Sequence, residues 1–266
     1  MKQKLSPQEK KLRRKKIENI ITVIYLFIRF FFFEHFMIPS SSMTPTLRTG
    51  DLVFIKKYTF SWSRNSILLG GYLPFWKEGI KLGRAQRGQM AVFTLERDPK
   101  VYYVKRIVAI GGDRVQVKDG VLHINGQPSK MELIEETEFL NDYGKMEKVK
   151  KYKVTLPIAP FKEYYIIRNK EIGEGSHDNT PEYTVPEGKV WLQGDFNTGS
   201  ADSFSTYMKG AVPENRLVGT PFFILWNTNS RLPTENNWAI WIMQLPWRIL
   251  YAFKETNTKR YCVFVD

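Results

Sequence analysis

A basic tail runs directly into an apolar, aromatic segment, and this junction limits what the chain can become more than any other feature. Lys2, Lys4, Lys10, Lys11, Arg13, Arg14, Lys15 and Lys16 stand against Glu9 alone. Ile17 to Phe36 follows, a run of twenty residues. As a helix, such a run is about 30 Å long, one bilayer core thick. Glu18, Asn19, Arg29, Glu34 and His35 interrupt it. Arg29 is the serious objection, since a central arginine costs about 2.5–3.5 kcal/mol on insertion scales. It lies in the second half, where a long side chain reaches the interface. The expectation is one transmembrane helix over 17–37. The tail 1–16 would be cytoplasmic, and 38–266 would lie outside the cell membrane. A cleaved secretory signal would need a small-x-small site, and Phe31 to Ile38 offers none.

The formal net charge is +13, and residues 1–16 hold +7 of it, eight cations against one anion. A basic block beside an apolar run reads as a flank facing anionic lipid. The remaining charge is spread thinly, so a nucleic-acid groove is not expected. Cys262, the single cysteine, excludes an internal disulfide and a multi-cysteine metal site. His35, His123 and His177 lack metalloprotease spacing, so neither metal nor cofactor is expected.

Beyond the junction, short β-branched and aromatic runs alternate with turn residues. Asp51 to Ile55, Met90 to Leu95, Val101 to Ile110, Val115 to Val117, Val121 to Ile124, Val190 to Gln193 and Phe222 to Trp226 read as strands. Lys118-Asp119-Gly120 signals a hairpin. Residues 59–87 read as a long loop or insertion. Met131 to Lys150 is acidic and then basic, with spacing that a helix could use. The whole is expected to be mostly β: an antiparallel sheet domain with a smaller inserted β region at about 116–190. Trp238 to Phe253 is rich in tryptophan and broken by Pro246 and Arg248. It reads as a segment lying at the membrane interface or packed under the domain, with a second span as the alternative.

A hydroxyl-rich turn, Pro39-Ser40-Ser41-Ser42-Met43, follows the apolar segment. A serine hydroxyl is a weak nucleophile and needs an adjacent base. No Gly-x-Ser-x-Gly elbow is present, and the histidines are poorly placed. A lysine base must be neutral, and an exposed one is only about 0.4% neutral near pH 8. Lowering its pKa by about two units costs about 2.7 kcal/mol, which apolar burial can impose. Lys105 has Tyr103, Val104, Ile107 and Val108 as neighbours, but an alternating strand could equally turn it to solvent.

Four ordered motifs give the chain a specific likeness. Pro39 to Leu47 reads Pro-Ser-x-Ser-Met-x-Pro-Thr-Leu, with Ser41 at a place where glycine is common. Gly50-Asp51 opens an apolar strand. Tyr103 to Asp113 reads Tyr-x-Lys-Arg followed by Gly-Asp. Gly194-Asp195-Phe196-Asn197-Thr198-Gly199-Ser200-Ala201-Asp202-Ser203 is a variant of Gly-Asp-Asn-x-x-x-Ser-x-Asp-Ser. Together these resemble the bacterial type I signal peptidases, membrane-anchored Ser/Lys proteases.

The resemblance implies Ser42 as nucleophile and Lys105 as general base, acting through an acyl-enzyme. It implies that Ser40 and the Ser42 amide form an oxyanion hole and that Ser200 orients Lys105. Phe36, Ile38, Met43, Leu47, Tyr103 and Val104 become candidate pocket walls. The implied partners are signal peptides with Ala-x-Ala sites on exported preproteins, together with membrane lipid; a monomer is expected. Asp195 and Asp202 read as structural partners of Arg106 and nearby loops. Phe196 to Gly199 depart from the common last motif, and Phe204 stands where an arginine is common, so the wiring around Ser200 is open. Two rival readings differ in kind. A self-cleaving repressor would be soluble and begin with a helix-turn-helix, which the Phe-rich segment opposes. An inactive, preprotein-binding relative finds its support in the altered last motif.

Overall fold

The computed structural model describes residues 6–63, 66, 79–160, 162–208, 210–227 and 263–265. The expected interface segment 238–253 lies outside these residues, as does most of 64–78.

Helix Pro7–Phe31 opens the chain. Ser6 caps it by accepting from the Glu9 amide, while Glu9 returns the bond to the Ser6 amide, so two orphan donors of the first turn are satisfied. The apolar run expected to form one span is divided. The helix stops at Phe31, and Phe33–Met37 is an edge strand of the sheet. The helix borrows its first ten residues from the basic tail, leaving the stretch from Ile20 to Phe31, with Arg29 inside it, as its apolar part. Twelve residues reach about 18 Å. No described helix is long and apolar enough to cross a membrane.

The last turn of the helix is held by the sheet domain. Lys57 Nζ donates to the Arg29 carbonyl at 2.9 Å, and the Trp62 indole donates to the Phe31 carbonyl at 2.9 Å. These bonds satisfy carbonyls that a helix end leaves without partners. Buried Glu34 binds Arg29 at 2.9 Å and Lys57 at 3.3 Å.

The main sheet is antiparallel and eight-stranded. Along its path lie Phe33–Met37, Asp51–Lys56, Leu217–Asn227, Met90–Thr94, Tyr102–Ile110, Lys189–Gln193 and Val212–Pro213, with Val263–Phe264 on Leu217–Asn227. Leu217–Asn227 is longer than its expected core, because it pairs with Met90–Thr94 at one end and Asp51–Lys56 along the rest. Register shifts between Pro221 and Phe223, and between Ile224 and Trp226, bend it. Such bulges add local twist and curl the sheet.

Tyr102–Ile110 and Lys189–Gln193 are neighbours in this sheet, although about eighty residues separate them. The intervening chain forms two smaller sheets. One is Lys130–Leu140, Met146–Thr155 and Glu163–Arg168; the other contains Arg114–Lys118, Val121–Ile124, Gln127–Pro128 and Tyr183–Thr184. Val115, Val117, Leu122, Ile124, Tyr152, Val154 and Ile166 share one core with Val108, Ala109 and Trp191 of the main sheet.

Met131 to Lys150, inside the expected inserted β region, is a long hairpin rather than the helix that its spacing also allowed. Its register sets Glu132 opposite Lys153, Glu135 opposite Lys151, Glu136 opposite Lys150 and Glu138 opposite Lys148. An acidic strand followed by a basic one places opposite charges across the ladder. Each such pair contributes roughly 0.2–1 kcal/mol. Strand Glu163–Arg168, absent from the expected set, completes the sheet and also forms a parallel bridge from Ile167 to Phe196.

One buried ion pair joins the layers. Arg106 and Asp195 are 2% and 1% exposed. Arg106 Nε donates to Asp195 Oδ1 at 2.8 Å and its Nη2 to Oδ2 at 2.7 Å. Nη1 donates to the Gly88 carbonyl at 2.7 Å, and the guanidinium lies 4.5 Å from the Tyr164 ring centroid. Arg106→Met leaves Asp195 buried and unpaired, and is expected to lower the unfolding free energy by about 3–5 kcal/mol in urea titrations. A loss below about 1 kcal/mol would show that the carboxylate finds other solvation.

Candidate active site

Ser42 lies in a short 3-10 turn, Ser41–Met43, entered from an extended Ser40 (φ −140°, ψ 157°). The turn closes through Thr44 N–H to the Ser41 carbonyl at 2.9 Å, and Leu47 N–H then bonds the Met43 carbonyl at 2.9 Å. Met43 and Leu47 are fully buried with Ile38, Val53, Met90 and Ile224. These side chains peg the turn to the sheet and leave the Ser42 side of it partly exposed.

Lys105 comes from the adjacent long strand, paired opposite Ala91. Its Nζ lies 2.5 Å from Ser42 Oγ. Lys105 is 5% exposed. Burial pushes its pKa down to about 8, against the opposing fields of Asp202 and then Asp195. Desolvation disfavours the ammonium, and it outweighs the fields of the two acids. The strand therefore turns Lys105 inward.

Ser40 Oγ is 3.4 Å from Ser42 Oγ, a long contact for two hydroxyls. The Ser200 hydroxyl donates to Asp202 Oδ2 at 3.3 Å, not to Lys105. Asp202 Oδ1 accepts the Phe204 amide at 3.0 Å. Burial raises the Asp202 pKa, while Lys105 opposes the rise. Ser200 still closes on the Ser42 loop through Gly194. A Cβ there would sit 2.2 Å from Ser200 Oγ and 2.7 Å from the Ser42 carbonyl oxygen. Only glycine lets both loops approach so closely. The Ser42 carbonyl also accepts the Phe196 amide at 3.1 Å.

The six apolar residues fall into two groups. Phe36, Tyr103 and Val104 keep some exposed surface, whereas Ile38, Met43 and Leu47 lie in the core. Phe36 packs against Tyr102 at 4.7 Å between ring centroids. Tyr103 stacks on Phe93 at 5.7 Å, and its hydroxyl bonds that of Tyr207 at 2.7 Å. Val104 touches both the Met43 cluster and the Ile55 cluster.

Sequence reasoning missed one residue. Asp142, at the tip of the Lys130–Thr155 hairpin, accepts the Ser41 amide at 2.9 Å and the Ser41 hydroxyl at 3.0 Å. The contact spans 101 positions in the chain, and no local pattern announces it. It also needed the hairpin register, which the sequence left open.

Residues 14–226 match the family described as "Signal peptidase, peptidase S26". The chain belongs to this family. It is 32% identical over 217 residues to signal peptidase I of Rickettsia massiliae, covering 78% of this chain and 77% of that protein. Signal peptidase I of Rickettsia typhi is 31% identical over 219 residues, covering 79% and 78%. A solved signal peptidase I from Enterococcus faecalis V583 shares 23% identity, covering 52% of this chain and 96% of that one, at a TM-score of 0.28. The chain is thus a hydrolase, a serine endopeptidase that removes signal peptides from preproteins.

Retaining a desolvated ammonium weakens the fold. Below pH 8 the folded protein buries a charge that the unfolded chain hydrates. As pH rises through the folded pKa of about 8 toward the unfolded value, the unfolded state binds more protons and stability climbs. Lys105→Met is therefore expected to raise the unfolding free energy at pH 7 by on the order of 2 kcal/mol, with a smaller gain near pH 10. Equal or lower stability at pH 7 would show the charge to be compensated.

Proposed function

We propose that Ser42 attacks the scissile carbonyl, that Lys105 accepts its proton, and that the reaction runs through an acyl-enzyme on Ser42. The observation that carries this reading is the 2.5 Å contact between a buried lysine and that hydroxyl. Protonated, the ammonium donates to Ser42 Oγ. Neutral, the same geometry lets the hydroxyl donate to the amine, the arrangement a general base requires. With a pKa of about 8, about one molecule in ten carries the neutral base at pH 7.

After attack, the oxyanion is stabilised by the Ser42 amide and the Ser40 hydroxyl. The neighbouring positions of Ser40 and Ser42 support this, with the Ser40 hydroxyl turning from Ser42 toward the substrate oxygen. Lys105 then delivers its proton to the leaving amine and later activates the water that releases the signal peptide. Ser200 steadies the site through Asp202 and its packing on Gly194.

The substrate strand would lie extended between two free edges. Among the described residues, Lys189–Gln193 pairs with Tyr102–Ile110 only as far as Arg106. Tyr102 to Lys105 therefore keep one unpaired edge, and Phe33–Met37 forms the end of the sheet. Strand addition there would bring small residues, as in an Ala-x-Ala site, beside Phe36, Tyr103 and Val104. Ile38, Met43 and Leu47 would form the pocket floor.

The reading includes a monomer held at the cytoplasmic membrane by helix Pro7–Phe31, with its basic first turns on the cytoplasmic side and the sheet domain, from Phe33 onward, outside. Ile17, Ile20, Ile21, Val23, Ile24, Leu26, Phe27 and Ile28 are each 41–65% exposed. Such a face on a helix flanked by lysines and arginines suits lipid. The 116–190 region serves as an insertion bracing the catalytic sheet.

The test is cleavage of an Ala-x-Ala preprotein in detergent, with the cut mapped by mass. A single cut after the second alanine is expected; Ser42→Ala, Lys105→Ala and Lys105→Arg should each abolish it, since a guanidinium stays protonated. Turnover retained by any of the three would sink the dyad. Wild-type kcat/KM should climb about tenfold per pH unit below about 8 and then level off, as the free base accumulates. A flat profile from pH 6 to 9 would remove Lys105 from the role. Ser40→Ala should lower kcat by about 10²–10³ if its hydroxyl serves the oxyanion; an unchanged kcat would return it to the turn.

A further inference from the structure

We infer that Asp142 is a positioning residue that holds the nucleophile turn from the tip of the 130–155 hairpin. The inference rests on the proposed role of Ser42. One carboxylate spans the loop: Oδ1 accepts the Ser41 amide at 2.9 Å and the Thr49 hydroxyl at 2.9 Å, while Oδ2 accepts the Ser41 hydroxyl at 3.0 Å and lies 3.0 Å from the same amide. These residues bracket the turn and the segment that leads from it into the sheet. Hydrogen bonds to a carboxylate are about twice as strong as neutral ones.

The tip is shaped before it makes these bonds. Asn141 Oδ1 accepts the Tyr143 and Lys145 amides, each at 3.0 Å, and the Asn141 amide donates to the Lys145 carbonyl at 2.9 Å. The hairpin is anchored below. Phe139 meets the Phe196 ring edge-on at 5.3 Å, and Glu147 accepts from Asn169, which in turn bonds Thr198. Phe196 contributes the amide that holds the Ser42 carbonyl. Ser42 is therefore gripped at its own carbonyl by one loop and at the preceding residue by the hairpin. Both loops meet through the Phe139–Phe196 contact.

This arrangement fixes the direction of the Ser42 side chain relative to Lys105. Misplacement of a reacting atom by a fraction of an ångström slows chemistry without weakening binding. Asp142 is itself exposed, so its replacement leaves the core intact.

The experiment compares wild type, Asp142→Ala, Asp142→Asn, Ser41→Gly and the Asp142→Ala/Ser41→Gly double variant in the preprotein assay, with melting temperatures alongside. Asp142→Ala should lower kcat about tenfold with KM nearly unchanged and no loss of melting temperature. Asp142→Asn, whose amide oxygen still accepts the Ser41 N–H, should recover most of the rate. Ser41→Gly should add little in the Asp142→Ala background, since the shared bond is already gone. An unchanged or faster Asp142→Ala enzyme overturns the inference, and so does Asp142→Asn falling as far as Asp142→Ala. A fall in melting temperature that parallels the rate would assign Asp142 to folding and overturn it as well. Ser42→Ala separates the layers. If it is dead while Asp142→Ala is normal, only the positioning role fails; if it is active, the dyad fails and takes this role with it.

Discussion

Arg106 and Asp195 form the joint on which the geometry around Ser42 and Lys105 hangs. Arg106 is the residue after Lys105, and Asp195 follows the glycine that packs against Ser42 and Ser200. Thr46, from the segment that follows Ser42, shares the same joint: its hydroxyl lies 2.5 Å from Asp195 Oδ2 and 3.2 Å from Arg106 Nη2. Three segments far apart in sequence are thus fixed at one bidentate contact. A well-packed apolar cluster could stabilise the fold as much, since burying an ion pair is costly. An apolar cluster would not fix the register of the strand and the two loops. Bidentate geometry does, because the guanidinium fork accepts a carboxylate in few orientations.

The same strand handles two adjacent cations in opposite ways. Arg106 receives a carboxylate, a carbonyl and an aromatic face. Its neighbour Lys105 is equally buried yet receives a serine hydroxyl, with Asp202 and Asp195 acting only as background fields. Full pairing of Lys105 with a carboxylate would restore its ordinary pKa and remove the neutral amine that the proposed mechanism needs. The location of Asp202, bound to Ser200 and the Phe204 amide, keeps it occupied elsewhere. Withholding a partner tunes the lysine here as much as burial does.

The sequence made the strands flanking the site legible, because Asp51–Lys56, Met90–Thr94 and Tyr102–Ile110 are short, bounded and rich in β-branched residues. The meeting of Ser42 and Lys105 was legible only through the resemblance, since alternation alone gave no reason to turn Lys105 inward. What stayed hidden was set by partners remote in the chain. The apolar run after Ile17 carries no mark at Phe32 that separates helix from strand; the break is made by Lys57, Trp62 and the pairing of Phe33–Met37 with Asp51–Lys56. The 130–155 hairpin falls in the expected inserted β region, but its two strands were not marked out, for a similar reason. Glutamates and lysines suit a helix by propensity, and only their opposition across a ladder favours strands.

The departures in the last motif make sense together once the hairpin is in place. Phe196 forms a small core with Val149 and Ile167, against which Phe139 packs. Gly199 leaves the space that this ring fills, since a Cβ there would sit 2.4 Å from Phe196 Cε1. Phe204 turns into the larger core and meets Trp191 edge-on at 5.1 Å. Its backbone amide, rather than a cationic side chain, binds Asp202. A loop that could have been secured by charge is secured by two aromatic rings, and the ring at 196 is also where the hairpin seats. Ser41, with a hydroxyl at a place where glycine is common, then gives the hairpin tip a second donor to hold. The altered motif and the altered turn each hold the same hairpin, at Phe139 and at Asp142, which argues against reading either as decay of the site.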